Sequence, residues 1–154
     1  MFEKELMVVI ANLIPTVEQI GGITLGLTMG INPITVLLIS LIVNCLIFFP
    51  VYFGLKLFYD KYLYKIKILQ RYVERVRKRG KPYIDKYGIF GLMIFRAFPS
   101  PFTGTYAASI FGWFLGLDWK KSFAAVFFGS IISLILIFLG YYGIYNILKI
   151  VIGF

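Results

Sequence analysis

The chain has no histidine, one cysteine and little charge. Without histidine or clustered cysteines, no spacing suits zinc or another soft metal, and no metal is expected. Cys45 stands alone in an apolar stretch, without an internal disulfide partner, and reads as a small core hydrophobe. There is no phosphate-cradling glycine loop, no Ser/His/Asp set and no close pair of intramembrane carboxylates, so neither an enzyme nor a cofactor is expected. Acidic groups are scarce: 7 Asp and Glu stand against 16 Lys and Arg, a net charge of +9.

Hydrophobic residues make up 60% of the chain and charged ones only 15%. A soluble domain is about a quarter charged, so this chain has too few polar side chains to coat a globule. Residues 33–55 and 122–148 carry no charge at all. Each run exceeds the roughly 20 residues that cross a hydrocarbon core of about 30 Å. The expected class is therefore an all-α, multi-pass integral membrane protein, with residues 1–154 forming one domain. Glu3, Lys4 and Glu5 precede the first apolar run and no small-x-small site follows it, so that run is not expected to be a cleaved signal.

Two further apolar segments are interrupted. Residues 6–31 contain Pro15, Glu18, Gly21, Gly22, Gly26 and Gly30; residues 88–117 contain Arg96, Pro99, Pro101, Gly104, Gly112 and Gly116. The order is broken, intact, basic loop, broken, intact. A shift of 86 positions lays Pro15 on Pro101, Gly26 on Gly112 and Gly30 on Gly116, the mark of an internal repeat. Of the basic residues, Lys56, Lys61, Lys65, Lys67, Arg71, Arg75, Arg77, Lys78, Arg79, Lys81 and Lys86 fall in one block. A block beside spanning helices reads as a cytoplasmic loop on anionic lipid, rather than a nucleic-acid site. Lys120 and Lys121 also favour the cytoplasmic side, which asks 88–117 to enter the membrane and return. The expected architecture is an inverted repeat of a re-entrant hairpin plus a transmembrane helix: hairpin 6–31, span 33–58, basic helix and loop 59–87, hairpin 88–117 and span 119–149. Four full crossings are the alternative, with Lys120 and Lys121 outside.

Tyr62, Ile66, Leu69, Val73 and Val76 recur at helical spacing among basic residues, predicting an amphipathic helix on the membrane surface that Gly80 and Pro82 end. Lys65, Arg71, Arg75, Arg77, Lys78 and Arg79 are its candidate anionic-lipid contacts. Asp118 is a candidate N-cap, Trp113 and Trp119 candidate interfacial anchors, and Asn44 a candidate interhelical hydrogen-bond partner. Glycines four apart, Gly26 with Gly30 and Gly112 with Gly116, suit close helix packing.

Only Glu18 and Arg96 place charge well inside apolar segments. Either one against lipid costs at least roughly 2.5 kcal/mol, so both should face protein or a water-filled cavity. Glu18 suits cation binding or proton exchange, and Arg96 suits an anionic group such as a phosphate; alternatively the two simply pair and lock the hairpins. Pro99, Pro101, Thr103 and Gly104 form unwound backbone, which a membrane tolerates only where it is buried or lines a cavity. With Pro15 they complete the candidate substrate or proton site, or are no more than hairpin turns.

The stretches IPTVEQIGGITLGLTMG, DKYGIFGLMIF and FPSPFTGTYAASIFGWFLGL, within residues 10–142, resemble the small multidrug export proteins, with a more distant similarity to the DedA/VTT superfamily of re-entrant-hairpin proteins. The family pattern E-x-R-G-A-I-P is altered, with Ile20 at its arginine and Thr24 at its final proline; the arginine here is Arg96. The family resemblance implies drug export, and the superfamily implies movement of lipids or lipid-linked phosphates with proton coupling. The expected function is a cell-membrane transporter or lipid flippase, working as a homo-oligomer such as a dimer on membrane lipid or a small amphipathic substrate. The alternatives are proton-coupled efflux of apolar cations, a non-transporting scaffold and, last, a membrane-embedded enzyme.

Overall fold

The computed structural model describes residues 2–153 and contains helices but no strand among them. The helices are α1 (Phe2–Leu13), α2 (Glu18–Thr28), α3 (Pro33–Lys61), α4 (Lys67–Ala97), α5 (Thr105–Phe114) and α6 (Trp119–Ile152), with a 3-10 turn at Leu63–Lys65. Two are long and apolar enough to cross a membrane: α3 with the following turn, and α6. At 1.5 Å per residue, α1, α2 and α5 reach only about 15–18 Å and cannot span on their own.

The first broken segment folds as an antiparallel hairpin, α1 against α2. Lys4 Nζ donates to Met29 O (3.0 Å) at its open end. A β-carbon on Gly22 would collide with the Asn12 amide, and one on Gly26 would meet Val36 and Val8 at 2.7–3.0 Å, so α2 lies close because these positions lack side chains. Pro15 begins the turn and withdraws a donor. Thr16 (φ +75°) and Glu18 (φ +35°) both take the left-handed backbone that non-glycine residues rarely adopt.

The second broken segment is also a hairpin, made of the apolar end of α4 and α5. Its first arm corrects an expectation: Gly80 and Pro82 do not end the basic helix, which runs unbroken to Ala97. Pro82 removes one intrahelical bond, but it lies on the exposed side of α4, where water can take the freed carbonyl. Tyr62 and Ile66 precede α4 and are exposed, while Val73 is buried in the core. The expected apolar stripe is thus offset toward Val73 and faces protein.

Residues 86 positions apart build the two hairpin-to-span joins alike. Ile31 N donates to Gly26 O (3.1 Å) and Leu117 N to Gly112 O (3.0 Å). Gly30 (φ +72°) and Gly116 (φ +77°) supply the left-handed residue that closes each helix. These two are turn residues and not the packing glycines expected, whereas Gly26 and Gly112 do meet neighbours closely. Asn32 then caps α3 by accepting from Ile34 N (2.9 Å), and Asp118 caps α6 by accepting from Lys120 N (3.2 Å).

Helix α3 is central, touching α1, α2, α5 and α6. Two apolar cores lie along it. One gathers Phe48, Tyr52, Val73, Leu92, Trp113 and Val126; the other gathers Val8, Ile23, Val36, Leu134 and Ile137. Trp113 is therefore a core residue, edge-on to Tyr59 at 5.2 Å, and not an interfacial anchor.

Candidate functional site

A layer of buried polar side chains separates the two apolar cores. Along α3 the inward positions read Val36, Ser40, Asn44, Phe48, one turn apart, and along α6 they read Val126, Ser130, Ser133, Ile137. Asn44 lies eleven residues into α3, about 16 Å along its axis.

The layer is where the hairpin tips meet. Helix α5 begins at Gly104, which offers no side-chain cap. Glu18 of the other hairpin supplies one, its Oε2 accepting from Thr105 N (2.6 Å) and its Oε1 from Tyr106 N (3.4 Å). A carboxylate at a helix N-terminus receives both the unpaired N–H groups and the positive end of the helix dipole. A β-carbon on Gly104 would collide with that carboxylate, so glycine is what allows the approach. Tyr106 Oη adds a second bond between the tips, donating to Leu13 O (2.7 Å).

Arg96, on the inward stripe of α4, is 2% exposed. Its Nη2 donates to Gln19 Oε1 (2.6 Å) and, more weakly, to Asn44 Oδ1 (3.5 Å); its Nε donates to Thr105 Oγ1 (3.2 Å). Among the described residues the guanidinium makes no hydrogen bond to Glu18. The two charges are joined through Thr105, whose N–H binds Glu18 and whose hydroxyl accepts from Arg96 and donates to Asn44 Oδ1 (2.8 Å). Asn44 carries the network to the first hairpin: its Nδ2 donates to Asn12 Oδ1 (2.9 Å), and Asn12 donates to Ser40 Oγ (3.1 Å). Gln19 reaches the last span by donating to Ser130 O (3.2 Å).

Glu18, Arg96, Pro99, Pro101 and Gly104 of the expected site line one cleft between the tips, together with Thr16, Gln19 and Ser133. Its volume is about 10 Å³, at the lower limit for one water molecule. Pro15 does not line it and is exposed in the first turn. Thr103 does not line it either, because its hydroxyl turns back to Phe98 O and Ser100 O and closes the second turn. Asn12, Gln19, Ser40, Ser130 and Ser133 were outside the expected site, and Thr105 was expected only as a further hydroxyl at depth in the 99–105 run. For Ser40, Thr105, Ser130 and Ser133 the signal was polar residues three or four apart on otherwise apolar helices, while Asn12 and Gln19 carried no such spacing.

Lys65, Arg71, Arg75, Lys78 and Arg79 are exposed. Arg77 is not a lipid-facing residue: it is half-buried, its guanidinium donates to Trp113 O (3.0 Å) and Phe114 O (3.3 Å), and it lies 5.3 Å from the centre of the Trp113 ring. It closes the C-terminus of α5, whose last carbonyls attract a cation.

An all-helical chain with two helices of membrane-spanning length and a polar layer enclosed between apolar cores has the build of a membrane protein. A model of the family described as "Putative small multi-drug export protein" matches residues 18–136. That is 119 of 154 residues, and the chain belongs to this family. By its description the family is one of exporters. No curated protein and no solved structure matches the chain.

Proposed function

We propose that the chain is a small transporter of the cell membrane in which two re-entrant hairpins, inserted from opposite faces, meet tip to tip near the bilayer centre. The matched joins at Gly26–Asn32 and Gly112–Asp118 support an inverted repeat. The ends of each hairpin also return to one level: Lys4 lies against Met29, and Lys86 and Lys121 line one cavity. With the basic block cytoplasmic, a cysteine at Lys120 in a Cys45→Ala background is expected to react with an impermeant thiol reagent only from the cytoplasmic side. Labelling from outside would refute the second hairpin.

The observation that carries the functional reading is the pair of buried charges at the hairpin tips, Glu18 and Arg96, joined through Thr105. An intramembrane ionisable group is expensive and belongs on a transport path. Next to the cleft, sharing Ile20 and Pro99 with it, is an open apolar groove of about 560 Å³ along α6. A cationic side chain beside an apolar groove suits an amphipathic substrate with a phosphate-bearing headgroup. The cleft is too small for any such headgroup in this conformation, so transport requires the tips to part, as in alternating access. Two spanning helices do not enclose a path by themselves, and a second copy of the chain is the proposed partner.

Reconstitution into liposomes tests this. Wild-type protein is expected to move a headgroup-labelled alkyl phosphate or phospholipid between leaflets. The second reading is proton-coupled efflux of apolar cations, of which the family description supports the drug-export part alone. Dye uptake driven by a proton gradient and lost in Glu18→Gln, without lipid movement, would select it. Protein that moves neither substrate would leave a scaffold.

A further inference from the structure

We infer that Glu18 is a tethered occupant of an anion site, and that the phosphate or other anionic headgroup of the substrate binds by taking its place at the N-terminus of α5. The inference rests on the transporter reading above and names how its site receives a ligand. Glu18, Gly104 and Arg96 line one cleft, and the first N–H groups of α5 adjoin it. The N–H groups of Thr105 and Tyr106 open a ten-residue helix and point at the Glu18 carboxylate. The Arg96 side chain, 2% exposed, lines the same cleft. Two of its nitrogens are bonded to Gln19, Thr105 and Asn44, but Nη1 finds no acceptor among the described residues. An arginine buried except at this one free nitrogen, beside a helix N-terminus, offers the donor set of a phosphate site: backbone N–H groups, the helix dipole and a planar cation.

The occupant is held closely through one oxygen only, Oε2 at 2.6 Å from Thr105 N. It reaches α5 from a turn whose Thr16 and Glu18 both sit at positive φ, and such strain persists only while the surroundings enforce it. Its Oε1 contact at 3.4 Å is long for a charge-assisted bond. A phosphate has more acceptor oxygens than a carboxylate and could meet Thr105 N, Tyr106 N and Arg96 Nη1 together. Release of Glu18 lets its turn relax and separates the tips, which are otherwise tied by Glu18 and by Tyr106 to Leu13. Ligand entry and opening are then one event. The adjoining groove lies where an alkyl chain attached to that phosphate would run.

Gly104→Ala provides the sharpest test. Gly104 has φ −68° and ψ −172°, which alanine adopts freely, but the added methyl would collide with the Glu18 carboxylate. The substitution therefore evicts Glu18 without removing it. Binding of dodecyl phosphate, inorganic phosphate and dodecyltrimethylammonium is measured on protein in zwitterionic nanodiscs, with the melting temperature of each variant recorded. Gly104→Ala and Glu18→Ala are both expected to bind dodecyl phosphate about tenfold more tightly than wild type, the scale of one charge-assisted contact. The gain is expected to vanish when Arg96→Met is added to either. Glu18→Gln, whose neutral amide is a weaker occupant that a phosphate can displace, replaces Glu18→Ala if the latter does not fold. An equal gain for inorganic phosphate identifies a free anion as the ligand; a gain for dodecyl phosphate alone identifies a lipid headgroup. No gain in Gly104→Ala and the Glu18 variant overturns the inference, as does a gain that survives Arg96→Met or a gain for the cation instead. Transport by wild type with no gain in binding would leave the transporter reading standing and remove only this one. A gain in binding with no transport would do the reverse.

Discussion

Arg96→Ala is expected to abolish lipid movement and to destabilise the protein by about 3–5 kcal/mol, the usual cost of removing one partner from a buried charged network. The loss has identifiable parts. Gln19 Oε1 loses its 2.6 Å bond, Thr105 Oγ1 loses a donor, and Asn44 keeps only the Thr105 contact on its oxygen. Glu18 keeps its place on α5 but loses the nearest buried cation. Opposing this is the desolvation cost of Arg96 itself, which the substitution removes. Arg96→Met separates the two contributions, since it refills the space without charge and should be less destabilising than Ala, yet equally inactive. Arg96→Lys is not expected to rescue, because a single ammonium cannot serve Gln19 and Thr105 from the two edges that the guanidinium uses. Thermal denaturation of Glu18→Gln, Arg96→Met and the double variant completes a cycle. Because both residues bind Thr105, a coupling of roughly 0.5–3 kcal/mol is expected. Additive effects would show that the two charges act independently and that the shared site is wrong.

Much of this arrangement was legible before any coordinates. Scarce charge made Glu18 and Arg96 conspicuous, since a carboxylate and a guanidinium in apolar segments must find each other, backbone or water. Uncharged runs identified α3 and α6 for the same reason. Neutral polar residues were harder to see. Ser40, Asn12 and Ser133 are tolerated in membrane helices for many reasons, and only tertiary contact gathers them into one layer. The form of the charge pairing was also hidden: a direct ion pair and a link through Thr105 leave the same trace in a sequence. Pro82 misled because proline is costly in a helix interior, but one lost bond on a water-exposed face is outweighed by the packing of α4 along its whole inward stripe. Arg77 misled because its neighbours in the basic block are exposed, while its own register on α4 points at the end of α5. Glycine spacing was ambiguous, as Gly26 and Gly30 share a face in a regular helix but the helix ends between them.

Gly129→Ala is expected to be as damaging to the site as a substitution within it, although Gly129 makes no hydrogen bond through a side chain. Here α6 passes close to the apolar end of α4. A β-carbon there would lie 2.8 Å from Met93 O and from Arg96 Cβ, and 2.9 Å from Arg96 Cγ. One of these neighbours is backbone, so relief requires moving a helix rather than rotating a side chain. Overpacking of this kind costs about 1–3 kcal/mol. In a membrane, where helices associate through close packing and not through the hydrophobic effect, it falls directly on the α4–α6 contact. The contact is also the base of Arg96, so displacing it moves the guanidinium away from Gln19 and Thr105. Reduced stability should therefore come with loss of transport even at temperatures where the variant remains folded. Gly91→Ala is the internal control. Gly91 is on α4, exposed, with nothing within 4 Å of an added β-carbon. There alanine only improves helix propensity, which should leave stability unchanged or raise it by about 0.5–1 kcal/mol. Opposite signs at the two glycines, read from melting temperatures in the same detergent, are the expected result. Equal effects would mean that α4 and α6 are not packed as described and that Arg96 is positioned by something else.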